Sequence, residues 1–424
     1  MAQQESKTSV KPQFKPLRNQ KGVALMLAVF TVVLITYLVT ELSYETNIEY
    51  IVNANAVHRI KAYYAAKSGL ELSLLRIKLY SKVQRQFGKQ LGSQSKLLDL
   101  IWSFPFAWPL MLPEGSSDID KGAIKDVLKE SKMDGSYFTS ISDEGSRLDV
   151  NDLASDSKKI AEITKKNLMN VFEGKLQDEE FMRNHSGFRA EELVENITDW
   201  VDNDTTSKIR GNETDFYGKF NNGIVQLPPN RAFRTVEELR FVAGVDEEIF
   251  DILKDRVTVF GMKAINPNHA NQDVLMSLDP SITKEVVQEI IKRRDNEQLG
   301  GPFKDGSDNC RGDFWGFVNS KGGRVSQETQ TDVPLKCDKV STFKIKAVGE
   351  FAGVTREISA IVYDVKMSAQ VVAEAVKKEI AAQQQAAGGQ NPNPTPTPVP
   401  SSTTGPPLEP LPKGPPRIVY YTER

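Results

Sequence analysis

The side chains in this sequence with the types and crowding to do chemistry are carboxylates. Asp199, Asp202, Asp204, Glu213 and Asp215 fall in one stretch around ITDWVDND, and Asp305, Asp308 and Asp313 gather beside Cys310. Oxygen ligands at this density suit a hard cation such as Ca2+. Neither stretch has the spacing or the terminal bidentate Glu of an EF-hand. Helix capping, loop hydrogen bonds and ion pairs with Lys208 and Arg210 are the plainer account of the first group, since acidic loops are usually solvated. The three histidines, His58, His185 and His269, are too scattered for a His-rich zinc site. No G-x-S-x-G, P-loop, H-E-x-x-H or C-x-x-C occurs. Acid pairs exist, but nothing in the sequence gathers them around a cleft, so a non-enzyme is expected. Cys310 and Cys337 are compatible with one disulfide, provided the compartment is oxidising.

The compartment must be read from the elements that position these groups, starting at the N-terminus. Met1–Lys21 carries Lys7, Lys11, Lys15, Arg18 and Lys21 against Glu5, and Val23–Thr40 carries no charge. As a helix that run spans roughly 27 Å, about the hydrocarbon thickness of a bilayer. A basic flank keeps the leader in the cytoplasm and sends the bulk of the chain across. No small-residue cleavage site follows the run, as it would in a secretory signal. Val23–Ser68 has neither Gly nor Pro, and Ile48, Val52, Ala56, Ile60 and Tyr64 recur every fourth residue. That spacing lines one helix face. A spanning helix therefore runs on into an amphipathic one whose apolar face needs neighbours. The net charge of −2 gives no pull toward nucleic acid. With 39% hydrophobic residues and 26% charged, a chain of 424 residues can build two or three ordinary cores.

The basic leader ending in Lys21-Gly22, directly before this helix, resembles the type IV pilin-like proteins, and specifically the K-type minor pseudopilins of type II secretion. The resemblance implies a cut by prepilin peptidase between Gly22 and Val23, followed by N-methylation of Val23. The fifth mature residue, usually Glu in such proteins, is Leu27 here, a departure typical of the K type. A carboxylate inside a bilayer costs a few kcal/mol unless it pairs with the amine of a neighbouring subunit. A subunit that never joins one already in place can dispense with it, which suits the filament tip. The family also binds calcium, and the two acidic groups above are its candidate sites.

Further along, WSFPFAWPLMLPEG is expected to be irregular, packing its rings on a sheet or helix edge. SYFTSI (136–141) and RLDVN (147–151) read as a hairpin. Residues 152–303 read as an all-α insertion. Within it, 234–261 and 269–295 each read as helix, short apolar turn, helix, similar to helix-hairpin-helix or SAM-like units of the K type. Acids at Asp246, Glu247 and Glu248 beside Gly244 argue against phosphate binding at the first turn, and protein packing is the better reading for both. Residues after Lys304 read as loops and strands. STFKIKAVGEFAGVTREISAIVYDV (341–365) alternates as a second hairpin, and 367–387 as a short helix. The Pro-rich stretch 388–416 reads as extended and disordered, followed by a loose end, RIVYYTER.

The expected fold is thus α+β, a pilin-like head with a long N-terminal helix packed on an antiparallel sheet and a large helical insertion. The divisions are a leader (1–22), the N-terminal helix (23–80), the head (81–151 and 304–367), the insertion (152–303) and the tail (368–424). By resemblance, the chain is a minor pseudopilin at the tip of the type II secretion pseudopilus, initiating its assembly and supporting export of folded proteins. Its implied partners are I-type and J-type minor pseudopilins, the major pseudopilin and prepilin peptidase, with the chain single-pass in the bacterial inner membrane and its bulk in the periplasm. The alternative is a tip pilin for DNA uptake or adhesion that binds through the helical units.

Overall fold

A computed structural model describes residues 20–91, 95–110, 126, 129–131, 133–207, 211–212, 217, 227–304, 309–337, 340–363, 372–373, 375–377, 379–381 and 416–424. The chain forms two units, 1–61 and 62–424.

The described part of the first unit is helix. Helix α1 (Gln20–Leu91) begins here and continues into the second unit, ending at Leu91 rather than near residue 80. Nothing in its sequence breaks the helical period before Gly88. From Gly22 to Ile60 almost every described side chain is exposed, including the apolar run and the Ile48–Tyr50 region below it. The hydroxyls of Thr31, Thr36 and Thr40 donate back to the carbonyls of Leu27, Val32 and Thr36. Their polarity is thereby satisfied within the helix, as a hydrocarbon environment requires.

In the second unit, α1 presents a different face to a sheet. Ala62, Ala66, Leu70, Ser73, Ile77 and Tyr80 are buried, at the three- and four-residue spacing of one helix stripe. They meet the inward residues of a five-stranded antiparallel sheet, ordered β1 (Phe106–Trp108), β2 (Ser136–Asp143), β7 (Thr342–Phe351), β8 (Val354–Tyr363) and β9 (Arg417–Glu423). Phe343, Ile345 and Ala347 on β7, with Ile358, Ala360 and Val362 on β8, complete this core. The two-residue turn of the β7–β8 hairpin, Ala352-Gly353, has positive φ at both positions, which matches the twist of the flanking strands. Helix α2 (Ser95–Ser103) adds Leu98 and Trp102 to the same core. Arg76 on α1 holds its end by donating to the carbonyls of Ile101 and Trp102 at 2.8 and 3.1 Å.

Strands β2 and β7 are neighbours, paired from Ser136↔Glu350 to Asp143↔Phe343. Everything between them in sequence is therefore one insertion into the sheet. It has its own apolar core, built on α3 (Lys158–Glu173), α4 (Glu179–Asn184), α5 (Ala190–Val201), α6 (Glu247–Lys254), α7 (Gln272–Ser277), α8 (Lys284–Asp295), α9 (Asn309–Ser320) and α10 (Gln327–Asp332). Short β4 (Thr206–Ser207) and β5 (Gly211–Asn212) pair with each other.

Three expectations are corrected. RLDVN does not fold back on SYFTSI: β3 (Leu148–Asp149) pairs in parallel with β6 (Val257–Thr258) and belongs to the insertion. Leu148 and Val150 carry its apolar face into the helical core, where a hairpin would have turned them to the sheet. Residues 309–320 and 327–332 are helical and, with Cys337, belong to the insertion rather than to the head, because Cys310, Phe314, Trp315 and Val318 form a buried stripe on α9 within its core. Asp and Gly flanking that stripe masked its period in sequence. The C-terminus is not loose: residues 417–423 add to β8, while 382–415 lie outside the described residues. Of 367–387, residues 372–373, 375–377 and 379–381 are helical.

Candidate functional site: the anchoring helix and the pins of the inserted body

No local sequence cue stops α1 at the end of its apolar run. Val23 and Leu27 lie in its first turns and are exposed, and no atom outside the helix backbone comes within 4 Å of a Cβ built on Gly22. The helix is long and apolar enough to cross a membrane near its N-terminus. The leader residues 1–19 lie outside the described residues. Where α1 first meets the sheet, the contact is made of small residues. A Cβ on Gly349 of β7 would fall 2.1 Å from the Ala62 carbonyl oxygen and 2.2 Å from the Ala66 nitrogen, and one on Gly69 would strike the Tyr137 ring. Glycine at these two points lets helix and sheet backbones touch.

The inserted body is tied by asparagines. Asn151, at the end of LDVN, donates to the carbonyls of Phe233 and Val259 and accepts from the Phe233 nitrogen at 2.7 Å. Asn268, in INPN, does the same between segments, donating to Phe303 and Cys337 and accepting from the Phe303 nitrogen at 2.8 Å. Each of these two amides thus satisfies three backbone groups at once. Cys310 and Cys337 are joined by a disulfide with Cα atoms 5.5 Å apart. On the chain-entropy account this closure stabilises by roughly 3–4 kcal/mol.

A buried charge cluster that no sequence motif announced joins the same region. The Lys263 ammonium donates to Asp149 Oδ2 at 2.7 Å and pairs with Asp152. Asp149 also accepts from the Asn151 and Gly261 nitrogens. Burial raises the Asp152 carboxyl, the Asp149 charge raises it further, and Lys263 opposes both. Burial also works against the Lys263 charge, but the two carboxylates outweigh it and hold the ammonium protonated. Lys263 adopts φ +61°, a left-handed conformation costly for a side chain of this kind, and the ion pairs hold it there. One residue pair away, the Gly261 carbonyl accepts from the Tyr363 hydroxyl of β8 at 3.0 Å.

The acidic candidates are not all brought together. Asp199 is buried on α5, its carboxyl raised by burial while Ser207 hydrogen-bonds to it; Glu195 and Asp204 raise it further and Lys165 opposes. Asp202 ends that helix, and Asp204 accepts from the Thr206 nitrogen at 2.8 Å. Glu213 and Asp215 lie outside the described residues. So do Asp305 and Asp308, whereas Asp313 pairs with Arg293 at 2.6 Å. Among the described residues no group of three His, Cys, Asp or Glu side chains is placed to hold a metal. The first turn of the paired helical units has Gly244 at φ +83° with Asp246 capping α6 beside it. An acid at that amide cluster already takes the place a phosphate would need.

Residues 146–262 match the family model described as Type II secretion system (T2SS), protein K. No curated protein matches the chain. Among solved structures, a chain of "The Crystal Structure of the GspK-GspI-GspJ complex from enterotoxigenic Escherichia coli Type 2 Secretion System" is similar at 17% identity, with a TM-score of 0.50, over 75% of this chain and 95% of that one. At that identity the likeness is one of fold, and it bears out the α+β reading: long helix, antiparallel sheet and helical insertion.

Proposed function

We propose that this chain, whose residues 146–262 match the model of type II secretion protein K, acts as a minor pseudopilin at the tip of the pseudopilus. There it would start assembly and support export of folded proteins across the outer membrane. The observation that carries this reading is α1. Its upper part is long, apolar and exposed, while its lower part is already spent on the sheet. An exposed apolar helix is held either by lipid or by like helices, and a filament subunit passes from one to the other. The tip placement rests on two further features. Leu27 supplies no carboxylate for the amine of a subunit ahead of it. The inserted body is also bulky beside the sheet, which is hard to repeat along a thin filament.

The related structure is titled as a complex with GspI and GspJ, and we propose I-type and J-type minor pseudopilins as partners here, with the major pseudopilin below them. Prepilin peptidase would cut at Gly22-Val23, with Val23 then methylated, in an inner-membrane protein whose bulk is periplasmic. Co-expression of the whole chain with I-type and J-type subunits, purified in detergent through a tag on this chain alone, tests the assembly. A stoichiometric ternary complex is expected. Recovery of this chain alone would count against it.

Ca2+ remains a proposed structural ligand of the 199–215 or 305–313 acids. Asp199, buried near other acids, is the residue a cation would relieve most. Removing calcium with a chelator should then lower the melting temperature by a few degrees, restored by Ca2+ and not by Mg2+. An unchanged melt would end the proposal.

A further inference from the structure

We propose that the outer edge of β8 is a strand-accepting site, and that its occupant, residues 416–424, is a detachable ligand that the same peptide can replace from outside the chain. This goes beyond the pseudopilin reading and does not depend on it.

The two sides of β8 are held differently. Toward β7 it is zipped from Thr342↔Tyr363 to Phe351↔Val354, with an apolar face that forms the core of the head. Toward β9 it is paired from Ile358↔Glu423 to Tyr363↔Arg417, with a bulge at Ile361/Val362. Arg424 and Glu357 extend this ladder with reciprocal backbone bonds of 2.9 and 3.0 Å. No residue of β9 is buried, and none belongs to either core. Ile418, Val419 and Tyr421 are each more than two-fifths exposed. The head is therefore complete without β9, and main-chain pairing supplies most of what holds it.

Two side chains give that pairing selectivity. They point to opposite faces, as the two-residue period of a strand requires. Tyr421, opposite Ala360, lies on the face that carries α1. Its hydroxyl bonds to Glu423 at 2.6 Å and also reaches Tyr63. Tyr420, opposite Ile361, turns to the inserted body, 5.9 Å from the Phe260 ring. It forms part of the wall of a cavity of about 310 Å³ shared with Val259, Phe260 and Ile361. A backbone ladder plus alternate side-chain pockets is how extended peptides are recognised at sheet edges. Here the peptide is the chain's own terminus.

The ligand is also separated from its site in sequence. Residues 382–415, rich in Pro, Gly, Ser and Thr, lie between the helical positions at 379–381 and Pro416. A tether of that length makes the binding intramolecular, at an effective concentration on the order of millimolar. Such a strand covers an edge that would otherwise invite pairing with other chains, yet it can yield to a competitor.

The test uses the whole chain in detergent and a fluorescent synthetic peptide of the sequence 416–424. The variant Tyr420→Pro/Tyr421→Pro removes both anchoring rings and, at one of two adjacent positions, an N–H directed at β8. It should bind the peptide saturably. The wild-type chain, whose own strand competes, should bind about 100-fold more weakly if the free peptide has a Kd on the order of 10 μM against a millimolar tether. A variant that keeps its unfolding transition and does not bind, or a wild-type chain that binds as tightly as the variant, would overturn the proposal. Should the variant fail to fold, hydrogen exchange on the wild type decides. Backbone amides of 417–423 should exchange much faster than those of 343–347, and equal protection would contradict detachment.

Discussion

His269 reaches Asp99 at 3.3 Å and packs against the Trp102 ring 5.5 Å away, so it joins the inserted body to the head. Burial lowers its pKa, but Asp99 and Asp143 outweigh burial and hold the imidazolium above its ordinary value. His185 is raised in the same sense: burial opposes, and the hydrogen bond to Asp246 at 2.7 Å prevails. A raised folded pKa means that the native state binds the proton more tightly than the unfolded chain. The stabilisation is therefore full below about 6.5, the unfolded value, and is lost as pH rises through the folded one. The chain should melt at a higher temperature at pH 6 than at pH 8, and His269→Gln should shrink that difference. A melting temperature independent of pH over this window, or a gap that His269→Gln leaves intact, would show that the contact contributes nothing. The residue scale is also where the sequence was least legible. Asn151 and Asn268 carry no mark of their role, because their three-way hydrogen bonding depends on segments tens of residues apart or more. The Lys263 cluster was invisible, since Lys263 lies over a hundred residues from Asp149 and Asp152.

At the scale of elements, the helix–sheet contact is the step most sensitive to size. Gly349→Ala would push a methyl into the Ala62 carbonyl and the Ala66 nitrogen, both backbone atoms that cannot rotate aside. Relief requires α1 to lift off β7, so a loss of at least about 3 kcal/mol in unfolding free energy is expected. A loss under about 1 kcal/mol by denaturant titration would mean that the two backbones are not in contact there. Periodicity made α1, the β7–β8 hairpin and the second helical unit, α7 and α8, readable in advance, while the first unit opens with a 3-10 turn at Val236–Phe241 before α6. It failed where pattern was short or interrupted. Leu148-Asp149 is too brief to reveal its partner, and β6 lies over a hundred residues away. Helix α9 hides its stripe among Gly and Asp. The Pro-rich tail suggested a loose terminus, although RIVYYTER alternates well enough to be a strand once an edge is available.

At the scale of the molecule, one helix has two differently exposed parts. Its lower stripe is committed to the sheet, and the apolar run and stripe above it are left exposed. The division follows from composition: Ala62, Ala65, Ala66 and Gly69 permit close packing, whereas the larger residues from Val23 to Tyr50 suit lipid or other helices. The long N-terminal helix was readable because hydropathy and length dictate it. Which surfaces meet partners was not, because an exposed apolar face does not name what covers it. The account depends most on α1 beginning at Val23 in the mature protein. Mass spectrometry of the N-terminal peptide from cells with active prepilin peptidase tests this directly. A peptide that starts at Val23 and carries one added methyl group is predicted. A chain that retains Gly22 and the basic residues before it would contradict the pseudopilin reading.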